Sequence, residues 1–130
     1  MSKDIKVLIV DDDEIFKELI RHGLEHEGYI TETASDGEEA LEKVATFKPE
    51  IMLLDVNMPK KTGFEVLKEL KQKQGNKIVH VILCTGDSTT DIDEGFGLGA
   101  DDCIYKPFDI QVVISRIEKI IKKYNILNLK

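Results

Sequence analysis

Apolar runs alternate five times with stretches whose apolar residues recur every three to four positions. The strand-like runs are Ile5–Val10, Tyr29–Thr33, Ile51–Asp55, Ile78–Thr85 and Asp102–Tyr105. The first, third and fourth are rich in Val, Ile and Leu, the pattern of strands buried on both faces. The second is more polar and suits a sheet edge. The fifth is too short to be judged by pattern alone.

Helical spacing fills the gaps. Over Glu14–His26 the inward stripe is Phe16, Leu19, Ile20 and Leu24, and over Glu38–Phe47 it is Ala40, Leu41, Val44 and Phe47. Thr62 and Glu65 have the spacing of a capping box, opening a helix with Phe64, Leu67 and Leu70 inside. Asp13 and Asp109 are placed to cap the first and last helices. Ile110, Val113, Ile114, Ile117, Ile120 and Ile121 give the last helix the clearest 3.6-residue period in the chain. The fourth helix, Thr89–Ala100, is weak because it carries Gly95, Gly97 and Gly99. An interior glycine costs about 0.5–1 kcal/mol relative to alanine, and Gly99 is placed to end the helix.

This (βα)5 alternation predicts an α/β fold, a parallel sheet wound on both faces by helices. One domain over residues 1–130 is expected, with 125–130 a fraying tail. Composition adds little: 42% hydrophobic and 33% charged residues make an ordinary globular mixture. The net charge of −7 argues against direct nucleic-acid binding. No run approaches a membrane span, and MSKDIKVLIV does not read as an export signal, so the expected compartment is the cytoplasm. Cys84 and Cys103 have neither metal spacing nor a disulfide framework and are predicted to be small buried residues in strands.

In open parallel sheets, ligands bind beyond the carboxyl ends of the strands. The residues closing the strands here are Asp11, Asp12 and Asp13; Asp55; Thr85 followed by Gly86; and Lys106 followed by Pro107. Clustered carboxylates repel one another unless a cation sits between them. An oxygen-rich set suits Mg²⁺, with Mn²⁺ as a substitute. Lys106 offers an ammonium for a phosphoryl oxygen and Thr85 a hydroxyl donor. Together they form a plausible acyl-phosphate site with Asp55 as nucleophile.

The segments VLIVDDDE, SDGEEALE, IMLLDVNMPKKTGFEVL, ILCTGD and GADDCIYKPF span nearly the whole chain. In that order they resemble the receiver domains of two-component response regulators, of the single-domain, chemotaxis-regulator-like type. The resemblance implies a flavodoxin-like sheet in the order 2-1-3-4-5. It implies that Asp11 and Asp12 hold Mg²⁺, Asp12 more directly, and that Asp55 is both phosphoacceptor and metal ligand. Asn57 would give its backbone carbonyl to the metal and lay its side chain over the phosphoryl group. Thr85 would move to bond the phosphoryl group and Lys106 would pair with it. The Lys106–Pro107 bond would be cis, and Gly86 and Asp87 would flank the phosphoryl group. The implied partners are a sensor histidine kinase or phosphotransfer protein and a downstream protein target, met through the fourth helix, fifth strand and fifth helix. Separate substrate turnover is not expected.

One position departs from the family pattern. Three residues before the lysine the family usually carries an aromatic switch residue, and here it is Cys103, with Tyr105 as a partial stand-in. The alternative function is a protein-binding domain of this fold that works without phosphorylation. It predicts erosion of Asp11, Asp12, Asp55, Thr85 or Lys106, all of which are present. A phosphatase or flavin carrier fits less well. Asn57 stands where a phosphatase wants a second aspartate, and acidic Asp11–Glu14 would repel a flavin phosphate. His22 and His26, four apart, read as a solvated face. Phe108 reads as packing, and His80 receives no role.

Overall fold

The computed structural model describes residues 4–73, 79–86 and 89–126. Its strands are β1 (Lys6–Val10), β2 (Ile30–Ala34), β3 (Ile51–Asp55), β4 (His80–Thr85) and β5 (Asp102–Tyr105). Its helices are α1 (Glu14–His26), α2 (Gly37–Phe47), α3 (Gly63–Lys73), α4 (Thr89–Gly97) and α5 (Ile110–Tyr124). All strand pairs are parallel and the sheet order is β2-β1-β3-β4-β5. The polar second run does lie at an edge. The fraying expected of the tail falls mostly on 127–130, outside the described residues.

Two apolar layers hold the sheet. On one face Ile9, Leu53, Ile82 and Ile104 meet Ile20 and Leu24 of α1 and Val113 and Ile117 of α5. On the other, Leu8, Met52, Val81 and Leu83 meet Ala40 of α2 and Val66, Leu67 and Leu70 of α3. Every residue of β3 is buried, as two-sided cover of a central parallel strand requires.

The predicted caps form. Asp13 accepts from the Phe16 N–H at 3.1 Å and Asp109 from the Val112 N–H at 3.2 Å. Thr62 and Glu65 bond each other's backbone N–H, a complete capping box. Gly99, at φ +101°, ends α4: Ala100 N–H reaches the Gly95 carbonyl and Gly99 N–H that of Phe96. This is a Schellman stop, which needs a left-handed residue.

Two expectations fail locally. Leu19 is 67% exposed rather than inward. The buried face of α1 runs through Lys17, Ile20 and Leu24, and Leu19 lies about 100° around the helix from Ile20. Lys17 is 2% exposed because Ser35 and Glu14 satisfy its ammonium where α1 meets the end of β2. Cys103 is only half-buried, since β5 is an edge strand and the helix beside it presents Gly95. Cys84 is buried as expected.

Candidate phosphoryl-acceptor site

The strand register builds the site. Val10 is level with Leu54, Asp55 with Cys84, and Thr85 with Tyr105. Asp11, Asp55, Thr85 and Lys106 therefore emerge at one edge, and Asp11 and Asp55 flank the point where strand order reverses. Short loops fix this edge. Asp11 N–H bonds the Ala34 carbonyl, Val56 N–H that of Cys84, and Lys106 N–H that of Thr85. The Lys106–Pro107 bond is cis.

Carboxylate oxygens of Asp11, Asp12 and Asp55 all lie within 4.8 Å of one another. Asp11 and Asp55 are buried and Asp12 faces solvent. Lys106 Nζ stands 2.7 Å from Asp11 Oδ2 and 3.4 Å from Asp55 Oδ1. Asp11 also accepts the Asp13 N–H at 2.9 Å. Burial, and then the neighbouring Asp11 charge, push the Asp55 carboxyl up to about 6, against the opposing pull of Lys106 and the Asn57 N–H. Burial disfavours the charge on Lys106, but the hydrogen bond to Asp11 and the charge of Asp55 outweigh it and leave its pKa raised. A cation added among three such carboxylates relieves the repulsion that burial intensifies, so the donor set fits a hard divalent ion.

Thr85 is 1% exposed at the end of β4. Gly86 follows it into open space, with nothing within 4 Å of where a Cβ would lie. Asn57 is exposed in the loop after β3 and directs its backbone N–H to Asp55. Asp87 lies outside the described residues. Cys103 lies on the opposite face of the sheet from Cys84, its thiol pushed up to about 11, chiefly by burial. The ring of Tyr105 is 44% exposed.

Sequence reasoning passed over two residues that shape this edge. At Gly63 a Cβ would lie 2.3 Å from the Asp55 carbonyl, so only glycine lets α3 begin against the end of β3. Phe16, expected merely to fill the core, has its ring centroid 4.9 Å from Lys106 Nζ. The helical period placed Phe16 inward but carried no sign of the lysine, which is distant in sequence.

The response regulator receiver domain family matches residues 7–118. This chain belongs to that family. The receiver domain is 40% identical over 123 residues to the response regulator RR06 of Streptococcus pneumoniae, covering 95% of this chain and 56% of the relative. It is 42% identical to the alkaline phosphatase synthesis transcriptional regulatory protein PhoP of Bacillus subtilis, covering 93% and 50%. The chain thus spans about half the length of these curated relatives. Among solved structures, the chemotaxis response regulator CheY4 of Vibrio cholerae superposes with a TM-score of 0.84 at 33% identity, covering 90% of this receiver domain and 98% of that chain. The flavodoxin-like sheet and its 2-1-3-4-5 order agree with that likeness.

Proposed function

We propose that this receiver domain takes a phosphoryl group from a phosphohistidine onto Asp55 and so switches its contacts with a protein target. The observation that carries this reading is the placement of a buried Asp55 carboxylate against Asp11 and Asp12, with an ammonium 3.4 Å away. One Asp55 oxygen attacks phosphorus, the P–N bond breaks, and the pair of electrons returns to the imidazole nitrogen. Mg²⁺, held by Asp11, Asp12, Asp55 and the Asn57 carbonyl, would supply charge neutralisation for the transferring group. Lys106 pairs with one phosphoryl oxygen and Thr85 donates to another. The chain promotes its own phosphorylation and hydrolysis and turns over no separate substrate. Gly86 and Asn57 would flank the path of the hydrolytic water.

A phosphodonor would dock on α1, where Ile15 and Leu19 lie one turn apart, 76% and 67% exposed, next to the acidic edge. A kinase or phosphotransfer helix bearing the histidine matches such a surface. Exposed Phe96 and Tyr105 support an output face on α4 and β5, toward α5. Among the described residues no helix is long and apolar enough to cross a membrane, in keeping with a cytoplasmic role beside a kinase. The test is phosphate uptake from acetyl phosphate with and without Mg²⁺. Wild type should gain one phosphoryl group only with the metal, and Asp55→Asn none. Wild-type uptake by Asp55→Asn would overturn the assignment.

A further inference from the structure

Lys106 has three neighbours in the site, and one of them is not an oxygen. Its ammonium lies over the ring of Phe16, 4.9 Å from the centroid, within the range of a cation–π contact. Phe16 does not float there. Its backbone N–H is bonded by the α1 cap, Asp13. Its ring is met edge-on by Phe108, with centroids 5.5 Å apart and planes at 82°. Phe108 comes two residues after Lys106. The two rings therefore tie the loop that carries Asp11, Asp12 and Asp13 to the loop that carries Lys106.

We infer that Phe16, braced by Phe108, is a positioning residue that holds the Lys106 ammonium between Asp11 and Asp55. This rests on the reading of Asp55 as the phosphoryl acceptor. A lysine side chain is long and flexible, and fixing its end costs conformational entropy. Asp11 at 2.7 Å pulls the ammonium one way and partly neutralises it. An aromatic face attracts the cation without supplying a negative charge or occupying one of its three N–H donors in a strong bond. The ring thus restrains the ammonium while leaving its charge and donors for oxygens on the Asp55 side. An aliphatic residue of similar bulk would pack as well but lacks that attraction.

The decisive comparison is Phe16→Leu against Phe16→Tyr, since leucine removes the aromatic face and tyrosine retains it. The first readout is the ring-current shift of the Lys106 ε-methylene protons by NMR. It should be present in wild type and Phe16→Tyr and absent in Phe16→Leu. The second is the initial rate of Asp55 labelling by acetyl phosphate with Mg²⁺. It should fall about twofold to thirtyfold in Phe16→Leu, the range a partly buried cation–π contact supports, and recover in Phe16→Tyr. If Phe16→Leu does not fold, Phe108→Leu removes the brace alone and should lower the rate in the same direction by less. Unaltered Lys106 shifts in Phe16→Leu, or labelling at the wild-type rate, would overturn the inference. Should wild type itself take no phosphoryl group, the functional reading fails, while the NMR comparison still decides where the ring holds the lysine.

Discussion

A methyl group added to Gly95 would lie 2.3 Å from Cδ1 of Leu83. α4 therefore rests directly on β4, with the Cys103 sulfur 3.5 Å from the same point. Gly97 has no such neighbour: nothing lies within 4 Å of its Cβ position. The two glycines should respond oppositely to alanine. Gly95→Ala must displace either α4 or a buried leucine and should cost about 1–3 kcal/mol, as overpacking does. Gly97→Ala should be neutral or stabilise by up to ~1 kcal/mol. Urea unfolding of the two variants measures both, and equal midpoints would mean that Gly95 is not pressed against Leu83.

That contact bears on switching, because Leu83 and Thr85 lie on one face of β4, two residues apart. Gly95 and Cys103 give α4 a small-residue seat on this face, so a displacement of Thr85 on phosphorylation is expected to reach α4 through it. Hydrogen exchange with and without beryllofluoride should change more across residues 92–99 than across α1. The same comparison in Gly95→Ala should differ from wild type, since the added methyl alters the contact between α4 and Leu83. An α4 that exchanges identically in both wild-type forms would place the signal elsewhere.

Asp55 makes the metal-free protein sensitive to pH. Its carboxyl is raised from 3.8 to about 6 in the folded chain by burial and by Asp11. Below the unfolded value both states are protonated and nothing is lost. As pH climbs from 3.8 to about 6 the unfolded chain releases the proton while the folded one keeps it, so stability falls. The loss levels off above about 6, at roughly 3 kcal/mol. Asp55→Asn lacks this penalty. It should exceed metal-free wild type in stability at pH 7 and match it near pH 3.5. Denaturant midpoints across this range test it, and a variant that gains nothing at pH 7 would show that the carboxylate is not strained.

Asp12 is the exposed member of the cluster, so replacing it should spare the fold. Loss of partners that merely support metal ligands lowers affinity about 10- to 100-fold. Asp12→Asn, which would remove a proposed direct ligand, should weaken Mg²⁺ binding by at least ~10-fold. Titration followed by calorimetry or by NMR of Asp55 measures this. Unchanged affinity would count against the cage of three carboxylates.

The sheet, its winding and the acidic edge were legible because each rests on a local signal. Runs such as Ile51–Asp55 announce buried strands, and Asp11, Asp55, Thr85 and Lys106 each close one. Parallel alternation alone brings such ends to one side. What stayed hidden depends on contacts between distant residues. Lys17 reads as a surface charge until Ser35 and Glu14 are seen around it. Leu19 fits an apolar stripe within the tolerance of the pattern, and only its neighbours show that it points outward. Phe16 could be placed inside but not beneath Lys106. Gly63 carries no local signal of its role, which appears only with the Asp55 carbonyl against it.

His80 is the clearest such case, and it supports a last prediction. It opens β4, at the opposite end of that strand from Thr85. Its ring stacks on that of Tyr124, with centroids 4.1 Å apart, and its Nδ1 lies 3.4 Å from Asp101 Oδ1. Tyr124 donates its hydroxyl to the same oxygen at 3.1 Å, and Asp101 Oδ2 accepts the Val81 N–H at 2.8 Å. One carboxylate thus joins the last turn of α5 to the start of β4. Burial alone would raise the Asp101 pKa, but the bonds from His80, Val81 and Tyr124 outweigh it and leave it lowered. The stability from Asp101 is therefore present above the unfolded value of about 3.9 and is lost as pH falls through the lower folded value. Asp101→Asn should cost about 1–3 kcal/mol at pH 6, because buried donors lose a charged acceptor, and the gap should narrow below pH 4. His80→Phe keeps the stack on Tyr124 and should cost less than Asp101→Asn. Phosphorylation of Asp55 should proceed normally in both, since the cluster lies at the other end of the strands. A constant gap from pH 3 to pH 7 would mean that Asp101 acts by shape alone.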